Sequence, residues 1–201
     1  DVTIYQSSTD EEVGERIKDA EVVLCNKTVL NADKLSKAPN LKYIGLFATG
    51  YNNIDIDYTR AHSITVCNAG DSTEAVAQHV FAFILHEYNT VDKYDTFVKN
   101  EGWVNAETFS PFFAMRELQG KTIGVIGYGS IGRKVADVAR VFGMKVMAYS
   151  RSQEKKDPNF RILEYASIDD ILANSDIVTM HCPLNEDSKY MCNKEFFKKM
   201  K

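Results

Sequence analysis

The sequence predicts an α/β protein built on open parallel sheets. Three observations carry that prediction. Short apolar strands alternate with helical patterns along most of the chain, as parallel crossover units require. Residues 121–151, KTIGVIGYGSIGRKVADVARVFGMKVMAYSR, read as strand, glycine turn, helix and strand in succession. The turn is Gly127-Tyr128-Gly129-Ser130-Ile131-Gly132, a G-x-G-x-x-G placed where a strand hands over to a helix.

In chain order, residues 2–5 are expected to form a short first strand. Thr9-Asp10-Glu11-Glu12 is a T-x-x-E capping box, and the helix after it turns Val13 and Ile17 inward. Residues 21–25 (EVVLC) read as a second strand, Asn31 as the cap of a short helix, and residues 41–47 (LKYIGLF) as a third strand. A helix over 55–62 and a strand over 65–67 follow. Asp71-Ser72-Thr73-Glu74 caps a long helix with Val76, Val80, Phe83 and Ile84, extending towards Phe97 and bridging two bodies. His79 and His86 on it read as packing or hydrogen-bonding residues. Residues 101–113, with Trp103 and Pro111, lack periodicity. The domain junction is therefore expected near Lys99, giving domains 1–98 and 99–201.

The apolar run 122–126 is the strand that enters the glycine turn. Ile131, Val135, Val138, Ala139 and Phe142 mark one face of the helix that leaves it. Gly143 stops that helix, and residues 145–149 form the next strand. Asp157-Pro158 is a loop, and Ser167-Ile168-Asp169-Asp170 caps a helix through Leu172. Residues 176–180 are a strand ending in His181-Cys182-Pro183-Leu184. Asn193 caps a last helix with Phe196, Phe197 and Met200 apolar. Strands near Ile123, Val146 and Val178 amount to part of a dinucleotide sheet, so the chain reads as truncated after Lys201.

The chain has 201 residues, 44% hydrophobic and 26% charged, with a net charge of −4, an ordinary globular composition with room for one or two domains. The mild acidity argues against nucleic acid or an anionic membrane as partner, and no apolar stretch is long enough to span a bilayer. Cys25, Cys67, Cys182 and Cys192 lack metal-ligand spacing and read as reduced packing residues of a cytoplasmic protein; no metal is expected.

Each glycine of the motif has a physical job. Gly127 allows the tight turn, Gly129 lets the backbone approach a pyrophosphate, and Gly132 lets helix and strand pack closely. The helix N-terminus offers that phosphate unpaired N–H groups and a positive dipole end. An NAD site usually ends its second strand in Asp or Glu, which bonds the adenosine ribose. Ser150-Arg151-Ser152 stands there instead, followed by Lys155 and Lys156. Either Arg151 grips a 2′-phosphate with a charge-assisted fork, or the segment is a surface turn whose arginine stacks on adenine. The reading favours NADP(H) over NAD(H). Past the third strand lies Ala48-Thr49-Gly50-Tyr51-Asn52-Asn53. Its small residues expose backbone N–H groups suited to a carboxylate, or it is a plain turn.

Several stretches together resemble the D-isomer-specific 2-hydroxyacid dehydrogenase family: LKYIGLFATGYNNIDID, ITVCNAGDSTEAVAQHVFAFIL, ELQGKTIGVIGYGSIGRKVADVARVFGMKV and SDIVTMHCPLNEDSKYMCNKEFFKKMK. They cover almost the whole chain in the family's order and look most like its hydroxypyruvate reductase (glycerate dehydrogenase) branch. The resemblance implies a flavodoxin-like substrate domain, an incomplete Rossmann cofactor domain, and hydride transfer between NAD(P)H and a small 2-keto acid. It implies that Ala48, Thr49 and Gly50 hold the substrate carboxylate through backbone amides. Ser130 and Ile131 match pyrophosphate contacts, and His181, Cys182 and Pro183 match the strand end flanking the cofactor. The family's catalytic Arg, Glu and His would lie beyond Met200-Lys201, so the 201 residues by themselves are expected to be inactive. A homodimer is expected from the family. The alternative is a dinucleotide-sensing binding module of the corepressor type.

Overall fold

The computed structural model of the chain describes residues 1–70, 72–107, 113–151 and 163–201. The chain divides into two compact units, Asp1–Asp71 and Ser72–Lys201.

The first unit contains α1 (Asp10–Ile17), β1 (Val22–Cys25), α2 (Ala32–Leu35), β2 (Tyr43–Leu46), α3 (Ile56–Ala61) and β3 (Thr65–Asn68). Its strands pair in parallel in the order β1-β2-β3. The helix starts are where the polar residues predict. Glu12 Oε2 accepts from the Thr9 N–H at 2.8 Å, Asn31 Oδ1 from Lys34 N–H at 3.1 Å, and Asp55 Oδ1 from Tyr58 N–H at 2.9 Å. Val13 and Ile17 of α1 pack with Leu35, Ile44 and Leu46 in one buried cluster. Val22 and Leu24 of β1 are exposed. The strand expected over residues 2–5 does not form, and Val2 and Ile4 are exposed. A strand exists only through ladder bonds to a neighbour, and this segment has none.

The second unit contains α4 (Thr73–Asn89), α5 (Val91–Lys99), β4 (Thr122–Ile126), α6 (Ser130–Val141), β5 (Lys145–Tyr149), β6 (Leu163–Tyr165), α7 (Ile168–Asn174), β7 (Ile177–Met180) and α8 (Lys194–Lys198). All pairings in its sheet are parallel, in the order β6-β5-β4-β7. Side chains alternate along a strand, so β4 sends residues to both faces. Ile123 and Val125 pack with Val135, Ala136 and Ala139 of α6 and with Phe81 of α4. Ile126 packs on the other face with Met147, Ile171, Leu172 and Phe196. Val135 is fully buried, and cutting it to Ala would cost about 2 kcal/mol. Helices on both faces of a parallel sheet make a doubly wound arrangement.

By compactness the chain divides at Ser72, because the apolar face of α4, with Ala77, Phe81, Ile84 and Tyr88, joins the cluster of β4 and α6. Three further expectations are corrected. The long helix does not run through to Phe97; Thr90 takes a left-handed conformation (φ 48°, ψ 41°) and separates α4 from α5. The second sheet has a strand more than expected, β6, whose three residues carry no periodic signal. Cys25 is buried, but Cys67 and Cys192 are exposed and do not act as packing residues. Among the described residues no helix is long and apolar enough to cross a membrane.

Candidate functional site

In the order β6-β5-β4-β7 the chain leaves β4 towards β5 on one side and returns as β7 on the other. The carboxyl ends of β4 and β7 therefore form a topological switch point, where open α/β sheets bind ligands. Two backbone bonds carry the ladders one residue past the strands. The Gly127 N–H donates to Tyr149 O at 2.9 Å, and the His181 N–H donates to Ile126 O at 2.8 Å. Gly127, Ser150 and His181 are thereby brought to one level at the sheet's end.

Three backbones meet closely there, and two glycines permit it. Gly127 has φ +99°, and a Cβ on it would stand 2.4 Å from Cys182 N. A Cβ on Gly132 would stand 2.2 Å from Gly127 O, so α6 can lie against the turn only with glycine at that position. Gly129 is different: a Cβ there would meet nothing within 4 Å. It is not needed for packing, and its bareness leaves room for a ligand. Gly129 is the N-cap of α6. The N–H groups of Ser130, Ile131 and Gly132 in the first turn have no acceptor within the helix, and an anion at a helix start is bound by such groups.

A cavity of about 700 Å³ opens over this turn. Of the residues expected from sequence, Gly127, Gly129, Ser130, Ser150, Arg151, His181, Cys182 and Pro183 line it. Gly132 is buried, and Ile131 packs against the core of the unit, so they contribute backbone only. Ser152 lies outside the described residues, as do Lys155 and Lys156. Tyr128, Arg133, Tyr165 and Asp187 line the cavity without having been foreseen. Tyr128 is buried and meets Tyr165 edge-on with ring centres 5.9 Å apart, while the Arg133 guanidinium lies 5.4 Å above the Tyr128 ring. Tyr165 belongs to β6, the strand without a sequence signal.

The charges of the cavity are arranged by the same strand ends. Arg151, just past β5, places Nη1 3.2 Å from Asp187 Oδ2 in the segment after β7. The sequence left open a phosphate grip or adenine stacking; in the structure this arginine is paired with a carboxylate. His181 Nε2 is 2.9 Å from Thr179 Oγ1. Burial pushes its imidazole below the ordinary histidine value, which keeps it neutral at neutral pH. The donor set, backbone N–H groups at a helix start with arginines beside them, suits a diphosphate.

The loop after β2 is built otherwise. Ala48 is half-buried, and Thr49 and Gly50 are exposed. The Ala69 N–H donates to Ala48 O at 3.2 Å, and Asn68 Nδ2 donates to Thr49 O at 2.7 Å, which ties the loop to the end of β3. A second cavity of about 360 Å³, with Tyr51, Arg60 and Asn68 in its lining, lies in this unit. Ala48, Thr49 and Gly50 line neither cavity.

Comparison with known proteins matches this geometry. The family model for the NAD-binding domain of D-isomer specific 2-hydroxyacid dehydrogenases matches residues 81–201, from within α4 onwards. A hydroxypyruvate reductase of Blautia hydrogenotrophica is 35% identical over 200 residues, covering 97% of this chain and 61% of that protein. The D-lactate dehydrogenase of Aquifex aeolicus, solved with NAD and lactic acid, superposes with a TM-score of 0.81 at 34% identity, over 94% of this chain and 56% of that one. An acyclic imino acid reductase solved with NADPH and D-Arg gives 0.85 at 28% identity, over 98% and 62%. The chain thus spans less than two thirds of the length of each relative. With the glycine turn, the helix behind it and the switch point all inside the segment matched to that NAD-binding domain, the chain belongs to the D-isomer specific 2-hydroxyacid dehydrogenase family.

Proposed function

We propose that this protein is an oxidoreductase that transfers hydride between NAD(P)H and a small 2-keto acid of the hydroxypyruvate or glyoxylate type, giving a D-2-hydroxy acid. The observation that carries the reading is the open space over Gly129 at the start of α6, between the ends of β4 and β7. The dinucleotide, when bound, supplies the hydride. The chain's own residues bind and orient. The first-turn N–H groups of Ser130, Ile131 and Gly132 hold the diphosphate. Neutral His181, with Cys182 and Pro183, walls the cavity at the switch point. Ser150 and Arg151 meet the adenosine ribose, and Arg151 favours the 2′-phosphate of NADPH over the free hydroxyl of NADH; Ser152, grouped with them by the sequence, lies outside the described residues. The backbone amides of Ala48, Thr49 and Gly50 hold the substrate carboxylate. No residue of the chain is assigned a catalytic role.

The three relatives described are each named for an oxidoreduction, so the corepressor alternative gains no support from them. A homodimer in the cytoplasm belongs to the same proposal; the four free cysteines suit a reducing compartment. The test is the absorbance of reduced nicotinamide when hydroxypyruvate or glyoxylate is added to the full-length protein. Loss of absorbance with one cofactor and one acid is expected. No loss with both cofactors and both acids rejects the reading. The cofactor preference is tested separately with Arg151→Asp, for which an unchanged ratio of NADPH to NADH affinity rejects the role given to Arg151.

A further inference from the structure

The ion pair between Arg151 and Asp187 joins two loops that come from different strands, and both residues line the cavity. It stands where the adenosine end of a dinucleotide would meet the tip of β5. Asp187 is not placed there by its own side chain. The Asp187 and Ser188 N–H groups both donate to Asn185 Oδ1 at 3.0 Å, and Ser188 Oγ donates to Pro183 O at 2.7 Å. These bonds set the turn after β7 through its backbone and its neighbours, and the carboxylate is carried to Arg151 as a consequence. The carboxylate is thus free to be replaced without undoing the turn.

We infer that Asp187 is a specificity-determining residue: its carboxylate competes with the 2′-phosphate of NADPH for Arg151. The inference rests on the reading of Arg151 as the residue that meets the adenosine ribose. The side chains of Arg151 and Asp187 are 65% and 76% exposed, so water screens the pair and it is weak enough for a phosphate to displace. Once displaced, the carboxylate lies beside a dianion and repels it. NADH brings no phosphate, leaves the pair intact and meets neither cost. The site therefore accepts both cofactors, and the carboxylate that sequence logic looks for at the end of β5 is supplied from the turn after β7. It acts there as a counter-charge that holds the preference for NADPH down.

The experiment measures dissociation constants of NADPH and NADH by nicotinamide fluorescence on the full-length protein, for the wild type, Asp187→Asn, Asp187→Ser and Arg151→Ala. Thermal melts check each variant's fold. Removing the carboxylate is expected to tighten NADPH about 5-fold while NADH changes less than about 2-fold, the scale of one screened charge acting on a phosphate. Both Asp187 variants must agree, since they share the loss of charge and differ in shape. Equal shifts of the two cofactors, or no shift, overturn the role of Asp187. Arg151→Ala keeps the two failures apart. If it weakens NADPH selectively while the Asp187 variants do nothing, the reading of Arg151 stands and the inference falls. If it leaves the ratio unchanged, the reading of Arg151 falls and takes the inference with it.

Discussion

Two parallel strands of this protein end in small residues, and the chain continues differently after each. After β2 the chain runs through Ala48, Thr49 and Gly50, and α3 begins only at Ile56. In between, carbonyls of the loop are drawn to the end of β3 by Ala69 and Asn68. After β4 the chain turns at Gly127 and enters the 12-residue α6 at Ser130. The N-terminus of that helix faces open space, and the end of β7 stands directly across. Small residues at a strand's end therefore permit a turn. A diphosphate cradle needs in addition a helix start immediately behind the turn and a neighbouring strand end in front of it, whereas a carboxylate needs only exposed backbone N–H groups.

The comparison can be broken at its glycines. Gly132→Ala should cost about 3 kcal/mol, because the new Cβ meets the backbone oxygen of Gly127, which cannot move aside cheaply. Gly50→Ala should stay within about 0.5 kcal/mol, since only Asn52 Oδ1 lies near, at an ordinary 3.5 Å. Denaturant unfolding of both variants decides; equal losses would erase the distinction between the two turns. Gly129→Ala sharpens it. Its Cβ meets nothing within 4 Å, so stability should hold within about 0.5 kcal/mol. Dinucleotide affinity should nonetheless fall roughly 100-fold, as a methyl group fills the approach to the diphosphate. A variant that binds normally would remove Gly129 from the site.

A smaller effect is expected in the other unit. Asn68→Ala deletes the bond from Nδ2 to Thr49 O and should cost about 1 kcal/mol. Cofactor affinity should not change, whereas KM for the keto acid should rise in the full-length protein. A change in cofactor affinity instead would contradict the separation of roles between the two strand ends.

The smallest effect is on pH dependence. Burial depresses His181 in the folded chain, so below its ordinary value of 6.5 the unfolded chain binds a proton that the folded one resists. Stability contributed by the neutral imidazole is therefore present above that value and declines as pH falls through it. Asp176 behaves separately. Its hydrogen bond from Lys201 Nζ, and then that from the Thr122 N–H, hold its carboxyl below the usual range, so its contribution is lost only at lower pH. Melting temperatures between about pH 7.5 and pH 5.5 should decline less for His181→Asn than for the wild type, and parallel curves would deny His181 this role.

What could be read along the chain was local. The β4-α6-β5 unit, the caps at Asn31, Asp55, Ser167 and Asn193, and the glycine turn each depend on residues a few positions apart. Residues 2–5 misled because an apolar run shows that a strand is possible, not that a neighbour is there to pair with it. The helix α4 misled because its apolar face was visible and its partner was not; it packs on α6, more than fifty residues further along in the chain's order of elements.

The sequence by itself therefore determined the fold class, the glycine turn and the family, because periodicity, turn chemistry and motif spacing are properties of neighbouring residues. Only the tertiary structure decided which charges share the cavity. Arg151 and Asp187 stand 36 positions apart, and Tyr128 meets Tyr165 across a strand that carried no pattern. Such pairs arise where parallel strands end side by side, and strand order is chosen by the burial of both sheet faces at once, which no local stretch of sequence encodes.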